Sequence, residues 1–325
     1  MHILILNAAP IGPRSIAALD KLHLPHLTHL LRLLSPTDVV RSTANDLTPA
    51  HEHVIAASHG LHGADGLIPW AAADALAAGL VPAALPPDLG GWAWITPCHW
   101  SIQTDHVRMD DPLALALTPH DAESLLRDIQ PYFTEDGISL FPSQAGLGHS
   151  HWLAYGAVFA KLPTASLDRV AGAVVDPWLP RQPQAQGLRR LQNEMQMLLY
   201  THPVNDARAR FHLPAVNAFW VSGTGVLATT PGATQRAASS HCQVRNALHA
   251  PALEDDALGW AQAWEALDGT TLANAVQHSA TGQPLQLTLC SETAAHIYTT
   301  RPLNTWERLV RKLRPTHLAD TLRAL

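Results

Sequence analysis

Ile3-Leu4-Ile5-Leu6-Asn7-Ala8-Ala9-Pro10-Ile11-Gly12-Pro13 opens the chain with an unbroken apolar, β-prone run that empties into a turn-forming stretch. A run this short and continuous predicts a strand buried on both faces, and the Pro and Gly that follow predict a loop at its carboxyl end. Residues 22–34 then carry Leu27, Leu30, Leu31 and Leu34 at helical spacing, introduced by Pro25 and stopped by Ser35-Pro36. Strand, loop and helix in that order is the opening of an α/β layer. In open α/β sheets ligands sit outside the carboxyl ends of the strands, which draws attention to Asn7.

Outward from this opening, helices are predicted at 46–60, with Pro49 near the first turn, and at 70–80, 119–128, 188–200 and 306–313. Strands are predicted at 92–97, 137–141, 216–221, 285–289 and 295–298, the third of these entering a glycine loop, Ser222-Gly223-Thr224-Gly225. The Pro/Gly-rich stretch 85–91 reads as a linker with a boundary near residue 90. No fixed-period repeat is present, so a layered α/β fold is expected rather than a bundle or solenoid.

Composition narrows the function. The 325 residues are 47% hydrophobic and 15% charged with 25 prolines, which describes a chain that buries a core and breaks often into loops. Net charge is −6 and the 21 Lys and Arg are scattered, so nucleic acid is not expected as a partner. The one basic cluster, Arg308, Arg311, Lys312 and Arg314, reads as a solvated helix face. Cys98, Cys242 and Cys290 show no CxxC spacing, which suits a reducing compartment. No apolar stretch reaches the ~18–20 residues of a membrane span, and residues 1–7 lack the features of a secretory leader. The expectation is a cytoplasmic protein without a membrane partner; none of these features bears on oligomeric state.

The segment His202-Pro203-Val204-Asn205-Asp206-Ala207-Arg208, followed by Leu213-Pro214-Ala215-Val216-Asn217 and Ser222-Gly223-Thr224-Gly225, resembles a signature of the archaeal-type cofactor-independent phosphoglycerate mutases of the alkaline phosphatase superfamily. Leu24-Pro25-His26-Leu27 looks like that family's first helix start, and 95–140 resembles its inserted lobe. Leu191-Gln192-Asn193-Glu194-Met195-Gln196 before HPVN and Val216-Asn217-Ala218-Phe219-Trp220 after it look closer still to shorter proteobacterial proteins labelled phosphoglycerate mutase or RpfE-type regulatory protein. The resemblance implies an alkaline-phosphatase-like layered sheet flanked by helices, with a smaller inserted α+β lobe. Residues 1–90 and 215–325 would form the phosphatase-like core and 91–214 the insert that carries HPVN.

It also implies chemistry: phosphoryl transfer through a Ser or Thr held by two divalent metals on Asp and His ligands. The first ligand of that family is an Asp directly after strand one, and Asn7 stands there, a poorer ligand for a hard cation. The nucleophile segment aligns with Leu47-Thr48-Pro49-Ala50-His51-Glu52-His53, where Pro or Ala falls in place of Ser. Thr48 is a weak nucleophile candidate beside His51, and a Thr before Pro also suits a helix cap. Weak metal candidates are His51, His53, Asp105 and His106, for manganese or zinc; His149 with His151 is a further pair, and each of these clusters better suits ordinary surface or hydrogen-bonded histidines.

Phosphate recognition is the better-supported chemistry. Arg208 offers a bidentate fork, His202, Asn205 and Asn217 offer neutral partners, and the backbone near Gly223 and Gly225 can approach an anion closely. His99, Asp105 and His106 form a second dense polar segment after a strand. The alternative is structural: His202 to Asn205 cap a helix while Arg208 ties the loop to a carboxylate such as Glu194. Three functions remain open on these residues. The first is a catalytically degenerate phosphoglycerate-mutase-like protein that binds a phosphorylated metabolite or protein partner in a regulatory role. The second is an active metal-dependent mutase or phosphatase with rearranged ligands, and the third a scaffold without a small ligand.

Overall fold

The computed structural model describes residues 1–80, 90–142, 151–227, 242–301 and 318–325. Its strands run β1 (His2–Ile5), β2 (Ser35–Arg41), β3 (Gly91–Cys98), β4 (Trp100–Ile102), β5 (Val107–Met109), β6 (Ser139–Pro142), β7 (Trp152–Gly156), β8 (Ala218–Gly225), β9 (Cys242–Arg245), β10 (Gln286–Cys290) and β11 (Ala294–Thr299). The helices are α1 (Pro13–Ala18), α2 (Pro25–Leu33), α3 (Ala50–Ser58), α4 (Trp70–Ala77), α5 (Pro119–Glu135) and α6 (Leu167–Val170). They continue as α7 (Gln186–Tyr200), α8 (Pro203–Ala209), α9 (His249–Leu253), α10 (Ala257–Leu267), α11 (Ala273–Ala280) and α12 (Leu318–Arg323). The predicted helix at 306–313 with its basic cluster, most of the linker 85–91, and His149 lie outside the described residues.

Two compact units result: Met1–Ala44, Pro49–Gly60 and Pro231–Leu325 form the first, Asn45–Thr48 and Leu61–Thr230 the second. In the first, a five-stranded sheet has the order β2-β11-β10-β1-β9, with β9, β1 and β10 parallel and β11 and β2 added antiparallel. β1 is covered on both sides. Ile3 and Ile5 pack with Leu27, Leu30, Trp260, Trp264 and Leu272 from α2, α10 and the turn after it, while Leu4 packs with Ala50 and Val54 of α3. This two-sided burial is why the run has no polar alternation. The mixed α/β architecture, a central sheet flanked by helices, is as the sequence predicts.

The second unit holds an antiparallel sheet, β6-β7-β3-β8, with a separate ribbon β4-β5. One side of the sheet packs Ile95, Phe219 and Val221 against Leu125, Ile129 and Phe133 of α5 and Leu188, Leu191 and Met195 of α7. Across α4, Ala71, Ala72 and Ala75 meet Trp92 and Leu153. The sequence placed 215–225 in the phosphatase-like core. Instead β8 pairs with β3 from Cys98↔Ala218 to Trp92↔Gly225 and belongs to the second unit. A strand's apolar pattern identifies it as a strand without identifying its neighbour.

Two of the buried histidines, one in each unit, have strongly lowered pKa values. His2 is 7% exposed against Thr288 (3.1 Å) and Cys242 (3.7 Å), and His151 is 3% exposed beside Trp94 and Asp74. Burial pulls both down to about 4. The unfolded chain therefore takes up a proton at each site before the folded chain does. Stability from this source is full above about pH 6.5 and is lost as pH falls toward 4, by at most about 3 kcal/mol per site. Urea denaturation of the whole protein between pH 7 and 4.5 should show this loss, and His151→Gln should flatten the profile; an unchanged slope in that variant refutes the assignment.

Candidate functional site

The HPVN segment sits where α7 ends and α8 begins, because Pro203 cannot continue a helix but starts one well. His202 is the N-cap of α8: its Nδ1 accepts from the Val204 N–H (3.2 Å), so Nε2 carries the proton and donates to Asp128 on α5 (3.0 Å). Asn205, 9% exposed, works as a piece of backbone. Its amide donates to Leu199 O (2.7 Å) and Val216 O (2.8 Å), and its oxygen accepts from the Val216 N–H (2.8 Å).

Arg208 is 2% exposed. Its guanidinium bonds the Asp121 carboxylate (3.2 Å), Pro214 O (2.9 Å) and Leu115 O, which joins α8 to the first turn of α5 and to the segment leading into β8. Glu194, the partner the structural alternative named, instead faces Arg190 one turn earlier on α7 (3.5 Å). Asn217 repeats the logic of Asn205: its side chain accepts from the Trp100 N–H (2.7 Å) and donates to Trp100 O (2.9 Å). His99 donates from Nδ1 to Ala215 O (2.7 Å). Thus His99, Asn205, Arg208 and Asn217 tie down the 214–217 strap before β8 through bonds to main-chain groups, while His202 caps α8 beside them and bonds Asp128.

Ser222-Gly223-Thr224-Gly225 is the end of strand β8 and not a loop, a correction to the sequence reading. The β3–β8 register slips between Trp92 and Trp94, and Gly223 takes φ +62° there. A Cβ at Gly223 would lie 2.8 Å from the Trp94 ring and 3.2 Å from Trp70 Cβ. The glycine is required by a bulge packed against two indoles. Asp105 and His106 contact each other (2.6 Å) at the exposed tip of the β4-β5 ribbon, apart from the strap.

At the carboxyl end of β1, Asn7 adopts φ +52°, a left-handed conformation that Asn tolerates better than most residues. Its Oδ1 faces His249 Nδ1 (2.8 Å) and its carbonyl accepts from Trp260 Nε1 (3.2 Å). Thr48 is 3% exposed, and its hydroxyl accepts from the Gly66 N–H (2.8 Å) while Asp65 holds the N–H groups of Leu47 and Thr48. The N-cap position of α3 is Pro49, so Thr48 is not that helix's cap either. On α3, His51 and Glu52 bring a ring nitrogen and a carboxylate oxygen within 4.8 Å of each other. His53, two residues on in a helix, leaves on a different side. Two ligands are half of a tetrahedral set, so further donors would come from beyond residues 49–60.

The partners of these side chains were out of reach of sequence reading. Asp121 lies 87 residues from Arg208, in the first turn of α5, where it also forms a capping box with Thr118.

If Arg208 is a clamp, Arg208→Ala strands the partly buried Asp121 and two carbonyls and should cost about 3–5 kcal/mol. Asn205→Ala should cost about 2 kcal/mol or more, since three buried backbone groups lose their partner. Urea midpoints of the two variants measure this; wild-type midpoints would show that neither side chain is committed as described.

No protein-family model matches this sequence, and no curated protein matches it. Among solved structures, the chain is similar to a cofactor-independent phosphoglycerate mutase from Thermoplasma acidophilum DSM 1728, at 13% identity and a TM-score of 0.36 with 100% of both chains covered. It is also similar to the PH0037 protein from Pyrococcus horikoshii, at 13% identity and a TM-score of 0.41, covering 92% of this chain and 87% of that one.

Proposed function

We propose that this chain is a phosphoglycerate-mutase-like protein that has lost phosphoryl transfer and acts by binding a phosphorylated metabolite or a protein partner, in a regulatory role. The observation that carries this reading is Asn7: the position where the resemblance calls for an anionic metal ligand holds a neutral amide turned onto His249. An amide does not neutralise a divalent cation as a carboxylate does. Thr48 adds support, since a hydroxyl that is 3% exposed and holds the Gly66 N–H is poorly placed to attack a phosphorus centre.

The HPVN corner then serves the binding protein as framework. Phosphate recognition through Arg208 would require its three internal bonds to be given up, so the ligand is expected to engage side chains that still face solvent. The exposed Asp105–His106 tip, and the half-buried His99 that precedes the same ribbon with its Nδ1 bonded to Ala215 O, are the first to test.

A second reading, an active metal-dependent 2,3-bisphosphoglycerate-independent mutase or phosphatase using manganese or zinc, is favoured by the side-by-side His51 and Glu52. Metal content of the purified protein, followed by mutase and phosphatase assays with Mn2+ and Zn2+, separates the two. Binding without chemistry predicts no turnover above buffer and a thermal shift with 3-phosphoglycerate that His99→Ala reduces. Turnover that is abolished by His51→Ala or Thr48→Val sinks the first reading, and no shift with any phospho-acid or partner favours a plain scaffold.

A further inference from the structure

The first unit contains a histidine arrangement to which no functional role has been given above: His23, His26 and His29, spaced three apart in His23-Leu24-Pro25-His26-Leu27-Thr28-His29. His26 and His29 lie on α2, half-exposed and exposed, next to the buried Leu27 and Leu30 of the same helix. Residues three apart on a helix have Cβ atoms about 5–6 Å from one another, close enough for two imidazoles to meet on one ion.

His26 is oriented for that task by Asp268. This carboxylate, 3% exposed, sits in a π-helical turn, Asp268–Leu272, between α10 and α11. It accepts from the His26 N–H (3.2 Å), the Leu27 N–H (2.8 Å) and His26 Nδ1 (2.9 Å). An ionised carboxylate has no proton to give, so Nδ1 carries it and the lone pair is on Nε2. The His26 side chain is 39% exposed, and Nε2 lies across the ring from Asp268. A carboxylate behind Nδ1 with Nε2 directed outward is the arrangement that fixes the tautomer and ring orientation of a metal-binding histidine. π-Turns also occur often at functional sites.

We propose that His26 and His29 form a surface site for a borderline divalent transition-metal ion such as Cu2+ or Zn2+, with Asp268 orienting His26. Imidazole nitrogens suit these ions over Mg2+ or Ca2+, and among divalent ions Cu2+ binds such donors most tightly. His23 lies two residues before α2 and is exposed. The site is independent of the proposed function and stands or falls without it.

The test is a Cu2+ titration of the full-length chain in the presence of a weak competitor that suppresses scattered histidine binding, followed by electron paramagnetic resonance. The expected result is one tight ion per chain with nitrogen hyperfine structure. Its Kd should rise by about tenfold or more in His26→Gln and in His29→Gln and remain unchanged in His120→Gln, an exposed histidine elsewhere on the chain. Both positions are exposed or half-exposed, and circular dichroism confirms that the variants fold. Titrations of folded His26→Gln or His29→Gln that superimpose on the wild type overturn the proposal.

Discussion

A guanidinium cannot be deprotonated and cannot be left without partners inside a protein. Arg208 is almost fully buried, and the Asp121 carboxylate and the carbonyls of Pro214 and Leu115 meet its charge and its donors. From that requirement follows the shape of the region: α8, the first turn of α5 and the strap before β8 must lie together. Asn205 and Asn217 then complete the strap by pairing with backbone, and β8 enters its sheet in register with β3. A segment whose residue types suit anion capture is thus used to hold helices against a strand.

The same electrostatic rule recurs at helix starts. The first N–H groups of a helix have no partner within it and favour a negative charge. α1 receives the carboxylate of Asp255, which accepts from the Arg14 and Ser15 N–H groups (3.2 and 3.0 Å) and packs so close that Gly12 has no room for a Cβ. α2 receives Asp268, and the 47–48 segment receives Asp65. Several of the few carboxylates in this weakly charged chain are therefore spent on backbone. At the end of β1, where a carboxylate would serve a cation, the chain has an amide and a left-handed turn instead.

The histidines divide by surroundings. His2 and His151 are buried and held neutral, and His202 caps a helix. His26 is different because one nitrogen is fixed by a buried acid while the other remains toward solvent. That combination, rather than the count of 20 histidines, separates a ligand candidate from a packing residue.

The linear order of residues determined the elements. The run at Ile3, the leucine spacing of α2 and α7, the Pro203 break and the mixed α/β class are local patterns, since burial of one face repeats every two or 3.6 residues. Sequence also determined that position 7 is an amide. Only the tertiary structure decided what the polar side chains do: that Arg208 meets Asp121, that Gly223 accommodates a bulge between indoles, that β8 joins β3, and that Asp268 lies behind His26. The reason is range. Periodicity is written within a dozen residues, whereas these partners are 87 and 242 residues apart, and no spacing in a chain encodes which distant acid will arrive at a given donor.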